Sequence, residues 1–323
     1  MTDLQKFLNM GLAVGLFVAV IGIVLFIASR FSGNRGDRGV AFIFLIPTVL
    51  LLLVGLIYPG LRTIFQSFFD AAGTSFIGLG NFQTIVTSPD QLIVLRNTLL
   101  WVVVTPFVAT LIGLVYAIIV DGARMEAAAK ALIFLPMAIS LVGASIIWKF
   151  IYAYRPDQGN IKQYGLLNQL VVWAGGSPQQ WLLNAPWNTF FLIVILIWIQ
   201  AGFAMTILSA AIKAIPEEIV EAARLDGVGA FGMFRYVTLP TIRPATVIVL
   251  TTIAIGTLKV FDIVRTMTGG NFGTSVVADE FYSQTFRSDN QGLGAALAVL
   301  LFIMVIPIVA YNVRQLRASE EAR

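Results

Sequence analysis

Seven apolar runs, at residues 8–28, 40–58, 97–120, 132–151, 188–210, 245–261 and 293–313, dominate this chain. A helix needs about 20 apolar residues to cross the hydrocarbon of a bilayer. In lipid only a helix, or a closed barrel, satisfies its own backbone. Runs of this length therefore predict an all-α, polytopic membrane protein. Composition agrees: 58% of the 323 residues are hydrophobic and 12% are charged, where a soluble domain carries about 25% charged residues. Pro47, Pro106, Pro136 and Pro307 fall inside runs. Membrane helices tolerate this because neighbours satisfy the freed carbonyls, and kinks are expected there. The sixth run is short and carries Lys259.

Basic residues set the orientation. Arg30, Arg35, Arg38, Arg124, Lys130, Lys213, Arg224, Arg235, Arg243, Arg314, Arg317 and Arg323 lie in one set of connections, twelve of the 21 Lys and Arg. The alternate connections hold seven: Lys6, Arg62, Arg96, Arg155, Lys162, Arg265 and Arg287. The richer set faces the cytoplasm, which puts the N-terminus outside and the C-terminus inside. Basic loops also account for the net charge of +4 without nucleic acid. The first run is longer than the apolar region of a signal peptide, follows only Lys6 and precedes Arg30, so an uncleaved helix is expected.

The chain has no His and no Cys. That removes Ser-His-Asp and Cys-His catalysis and any thiolate or imidazole metal site, so no catalytic residue, no metal site and no enzyme is expected. No GxxxxGK[ST] loop is present to cradle a nucleotide phosphate, so no cofactor is expected on this chain.

The long connection at 211–244 reads as two short helices. Pro216 with Glu217 and Glu218 is a helix start: proline fits the first turn, and carboxylates suit the positive end of the dipole. Gly227 is a natural stop. A second helix is expected at 230–237, with Phe231, Phe234 and Tyr236, ended by Thr238-Leu239-Pro240. Ile219, Ala222, Ala223 and Asp226 share a face at helical spacing. By physics alone the element is either a partner-docking helix or a helix lying on the membrane surface.

The stretch EEIVEAARLDGVGAFGMFRYVTLPTIRP resembles the EAA loop of binding-protein-dependent ABC importer permeases. The match runs over Glu221, Ala222, Ala223, Asp226, Gly227, Phe234, Thr238, Leu239, Pro240 and Pro244. Elsewhere Tyr58-Pro59, Phe76–Phe82 (FIGLGNF), Asn97-Thr98, Phe134-Leu135-Pro136, Trp148 and Gly165-Leu166-Leu167-Asn168 resemble the carbohydrate-uptake branch. So do Phe261-Asp262, Thr268-Gly269-Gly270, Thr274, Tyr282, Phe286 and Gly292-Leu293-Gly294-Ala295-Ala296, most nearly as in maltose and alpha-glucoside permeases. The resemblance implies a six-helix type-I importer core over 40–313, with the coupling loop at 211–244. An additional N-terminal helix with a basic loop would occupy 1–39, and a cytoplasmic tail 314–323. It implies that Glu221, Ala222, Ala223, Asp226, Gly227, Phe234, Leu239 and Pro240 dock on a cytoplasmic ATP-binding subunit, which binds and hydrolyses the ATP. A second, similar permease and an extracytoplasmic solute-binding protein would complete the assembly in a bacterial or archaeal inner membrane. The cargo would be a sugar.

A sugar passage needs aromatic faces beside hydrogen-bonding groups, and intramembrane polar groups are costly enough to be functional candidates. Trp198, Gln200 and Phe203 in the fifth run, and Thr257 and Lys259 in the sixth, meet that description. Trp198 equally suits packing, and Lys259 with Asp262 equally suits a solvated pair at the membrane edge. An ion-coupled secondary carrier is the alternative; it would want a carboxylate in mid-membrane, whereas these carboxylates sit at run ends or in loops.

Overall fold

The computed structural model describes residues 3–28, 36–156 and 164–321. Arg30, Arg35, Lys162 and Arg323, which entered the charge count, lie outside these residues, as does most of the basic loop before residue 39. The chain divides into two units, Met1–Phe65 and Gln66–Arg323. The first unit holds a helix at Asp3–Ala28 and a longer helical stretch over Gly36–Leu52, Leu53–Ile57 and all but the last residue of Tyr58–Gln66. The stretch at Phe44–Gln66 is apolar and long enough to span a membrane, and its side chains are largely exposed.

In the second unit small residues draw two long helices together. Thr105, Ala109, Gly113 and Ala117 form one buried face of Pro89–Val120, which packs along Trp187–Lys213. Lipid gives no hydrophobic drive for helices to associate, so close backbone approach supplies the contact. At Gly113 it is so close that a Cβ would lie 2.5 Å from Ala204 Cβ and 2.7 Å from the Met205 amide nitrogen. Arg243–Leu258 packs against Pro89–Val120 and against Gln291–Glu321.

Two expected spans are broken. The run at 132–151 is not one kinked helix: Glu126–Ala138 and Leu141–Ile151 meet at 102°. Pro136 sits in a 3-10 turn, Ile139 is extended, and Ser140 restarts the helix by accepting from the Gly143 amide at 3.1 Å. Pro106, by contrast, lies within an unbroken helix of 32 residues. The second break follows the 211–244 connection. Thr238-Leu239-Pro240 does not end the second short helix, as expected from its proline; helical structure runs from Ala230 to Thr241 and then turns by 66° into Arg243–Leu258. A wider π-helical segment, Met233–Thr238, precedes Pro240, just as Leu53–Ile57 precedes Pro59. Such a widened turn gives the proline ring room that an α-turn denies it.

Polar hubs hold the end of this unit away from the 211–244 connection. Asn97 donates to the carbonyls of Gly273 (2.6 Å) and Ser275 (3.0 Å), and Thr98 accepts from the Val277 amide (2.9 Å). Arg265 pairs with buried Asp279 at 2.9 Å and stacks on Phe261 and Tyr282. Asp70 closes the turn after Gln66: the amides of Ser75 and Thr74 bond its carboxylate and hold it below the usual carboxylate range. Asn168, fully buried, donates to the carbonyls of Ala153 (2.9 Å) and Gln179 (3.1 Å) and accepts from Gln179 N (2.8 Å) and Trp181 Nε1 (3.0 Å). Replacing it with alanine orphans four groups, so Asn168→Ala is expected to cost about 2–4 kcal/mol. Thermal unfolding of the purified protein in detergent checks this, and an unchanged midpoint would refute it.

Candidate functional site

Pro216 precedes the helix Glu217–Leu225, with Glu217 and Glu218 in its first turn. At its end the Val228 amide bonds the Ala223 carbonyl and the Gly227 amide bonds that of Arg224, both at 3.0 Å. This is a Schellman cap, and it places Gly227 at φ +78, the left-handed region that glycine enters without steric cost. The stop expected at Gly227 is therefore present, with a defined geometry.

The faces of the loop sort its residues. Glu221, Ala222, Asp226, Gly227, Leu239 and Pro240 are exposed, and Ala223 is half-buried. Phe234, expected to reach a partner, instead turns inward: it packs on the core formed by the long helices. The π-helical segment starting at Met233 shifts the helical phase, so spacing counted from Phe231 misplaces it. The outward aromatics are Phe231, 76% exposed, and Tyr236, 73% exposed, with Leu225 at 90%. Leu225 and Tyr236 carry no motif in the sequence; the cap that swings Leu225 outward was the available signal.

Beside the loop, Asp121 and Glu126 meet Lys130 and Lys213. Asp121 Oδ1 accepts from Lys130 Nζ at 2.5 Å and from Ser209 Oγ at 2.7 Å. Lys130 also bonds Glu126 at 2.7 Å and the Ser209 hydroxyl; Lys213 pairs with Glu126 and lies 3.9 Å from Asp121 Oδ1. The cluster ties the ends of Pro89–Val120 and Trp187–Lys213 to the start of Glu126–Ala138. In the sequence Lys130 and Lys213 stand out only as charges, because their partners are up to 92 positions away.

The candidate passage residues do not form one group. Trp198 meets Trp148 edge-on at 5.8 Å and lines a cavity of about 380 Å³ with Tyr116 and Pro136. Gln200 is two positions on, about 200° around the helix at 3.6 residues per turn, so it does not stand between Trp198 and Phe203. Gln200 and Phe203, three apart, share a side; both are half-buried. Gln200 has no hydrogen-bond partner among the described residues, whereas Phe203 packs on the core. Thr257 is 1% exposed and returns its hydroxyl to the Ile253 carbonyl at 2.7 Å. It is thus occupied inside the bundle, not open to a passage. Lys259 is exposed and caps the end of Arg243–Leu258; Asp262 begins the next helix, so the two do not share a helical face.

Broken and unbroken apolar helices, several long enough to cross a membrane, surround a capped, outward-facing loop, the architecture of a multi-spanning membrane protein. The chain matches the family described as "Binding-protein-dependent transport system inner membrane component" over residues 7–316 and belongs to it. It is 45% identical over 280 residues to the osmoprotective compounds uptake permease protein GgtC of Synechocystis, covering 87% of this chain and all of that one. It is 44% identical over 274 residues to the alpha-glucoside transport system permease protein AglF of Rhizobium meliloti, covering 84% and 81%. Its fold is similar to a bacterial ABC transporter involved in the import of alginate, with a TM-score of 0.74 at 20% identity over 87% of this chain and 96% of that one. The chain is thus an ABC importer permease of the inner membrane, a transport subunit and not an enzyme. The family match begins within the first helix and does not set that helix apart.

Proposed function

We infer that this chain is the membrane-spanning permease subunit of an ATP-driven importer for alpha-glucosides or related oligosaccharides. The observation that carries the substrate class is its 44% identity to an alpha-glucoside permease over most of both chains. A six-helix core over 40–313 carries the sugar, with the first helix an addition to it. Glu221, Ala222, Asp226, Gly227, Leu239 and Pro240 meet a cytoplasmic ATP-binding subunit that holds the ATP, with Leu225, Phe231 and Tyr236 as apolar anchors. Ala223 backs the helix, and Phe234 holds the loop to the bundle. A solute-binding protein delivers sugar at the far end, and a second permease completes the passage. The excess of basic residues in one set of loops supports a cytoplasmic C-terminus and an N-terminus outside.

The test is reconstitution of the chain with an ATP-binding subunit, a second permease and a binding protein in vesicles. Alpha-glucoside uptake is expected only with ATP and binding protein together; uptake driven by an ion gradient without ATP would overturn the reading.

Gln200 is the residue of this chain best placed to meet the sugar, since its amide is unspent. Gln200→Ala is expected to raise the apparent KM about tenfold, the loss of one good hydrogen bond. Trp198→Ala is expected to lower the yield of folded protein and leave KM unchanged. Initial uptake rates against sugar concentration read both, and a KM shift in Trp198→Ala alone would reverse the assignment.

A further inference from the structure

One polar atom at the cytoplasmic cluster is left over. Asp121 Oδ1 serves both Lys130 and Ser209, but Asp121 Oδ2 is buried with no hydrogen-bond partner. A buried carboxylate oxygen without a donor is expensive, so it persists only where something compensates or where a donor arrives in another state. Asp121 lines a cleft of about 420 Å³. The opposite wall belongs to the 211–244 connection, and it includes Arg224, Val228 and Phe234. Arg224 sits in the last turn of the Glu217–Leu225 helix, is exposed, and has no ion pair among the described residues. One cleft thus holds an acceptor lacking a donor and a guanidinium lacking an acceptor.

We propose that Arg224 closes onto Asp121 Oδ2 in one state of the transport cycle, and that this ion pair passes movement of the coupling helix to the long spans. Phe234 is the natural fulcrum. It anchors the connection to the core, while the Glu217–Leu225 helix hangs exposed beyond it. Asp121 is the natural receiver. Through Lys130, Ser209 and Lys213 it is already tied to the ends of two long helices and the start of a third. Asp121 and Arg224 are the charged residues lining the cleft, and Glu126 beside it is already held by both lysines. A guanidinium approaching Oδ2 leaves the Oδ1 bonds in place, so pairing adds a link without breaking one. Arg224 is then a positioning residue: it touches no sugar and no nucleotide, and it acts through the cluster.

The proposal rests on the permease reading, and the wild-type assembly in the same vesicles tests that reading separately. If the wild type shows no ATP-driven uptake, the permease reading fails; the cycle below is read only against a working wild type. Arg224→Gln removes the guanidinium's charge, and Asp121→Asn keeps Oδ1 as acceptor while removing the orphan charge. Each single variant is expected to lower uptake about tenfold and to raise the ATP hydrolysed per sugar, and the double variant to be no worse than the worse single one. Arg224→Lys, which keeps the charge but not the fork, is expected to recover most of the uptake. The chain has no cysteine, so the pair Asp121→Cys and Arg224→Cys can be cross-linked without background. Cross-linking is expected in either the nucleotide-bound or the nucleotide-free assembly, and not equally in both. Losses that multiply in the double variant, or cross-linking indifferent to nucleotide, would overturn the proposal. Co-purification of the subunits in every variant keeps a folding defect from imitating either result.

Discussion

Alanine at Gly227 is expected to reduce sugar uptake to background, while asparagine at the same position leaves most of it. Gly227 holds φ +78, and a Cβ there would meet nothing within 4 Å. Any loss therefore comes from backbone strain, not from a clash. The left-handed conformation costs a non-glycine residue about 1–2 kcal/mol, and asparagine is the residue that tolerates it best after glycine. For a helix of nine residues, too short to be stable unaided, that strain is enough to unwind the last turn. The Schellman bonds from Val228 and Gly227 go with it, and so does the position of Leu225. The readouts are ATP-dependent uptake in vesicles and retention of the ATP-binding subunit through purification. Equal activity in the alanine and asparagine variants would show that the cap does not matter.

Valine at Gly113 is expected to prevent assembly altogether, and alanine there to lower the yield several-fold. The obstruction is the Met205 backbone and Ala204, which cannot rotate away as a long side chain would. Overpacking of a well-packed core costs about 1–3 kcal/mol, and here the whole seam between two long helices must part. Gly202 is the companion case: a Cβ would come 2.5 Å from the Ile133 carbonyl oxygen and 2.9 Å from Phe134 Cα, so Gly202→Val is expected to fail as well. Size-exclusion profiles and protease resistance of the purified variants measure this. A monodisperse, protease-resistant Gly113→Val protein would refute the seam.

The helical class and the position of nearly every span were legible because a bilayer imposes a length that apolar runs must meet. The stop at Gly227 was legible because a left-handed cap strongly favours glycine. The inward turn of Phe234 was not, because the π-helical segment shifts the phase on which spacing arguments depend. Nor was the break at Ile139: Pro106 and Pro136 look alike along the chain, and what separates them is the neighbour, Gly202 receiving the Ile133 carbonyl. The division of Trp198 from Gln200 was open to simple helical arithmetic, since two positions turn a helix by more than half a circle. Much of the carbohydrate-branch signature proves to be packing. A Cβ on Gly292 would lie 2.1 Å from the Phe69 carbonyl oxygen, and one on Gly294 would lie 2.1 Å from Thr285 Oγ1.

The right-angled break between Glu126–Ala138 and Leu141–Ile151 bears on biogenesis. Neither arm is long enough to cross a bilayer alone, as each extends only about 16–20 Å at 1.5 Å per residue. The chain carries 132–151 as one largely apolar segment, so straight entry followed by folding over is the expected order of events. The groove at Gly202 that accepts the folded arm is synthesised about 50 residues later, at about 5–20 residues per second. A straight helix absent from the finished protein is then expected for several seconds during synthesis, and a chaperone or lipid that stabilised it would trap the nascent subunit.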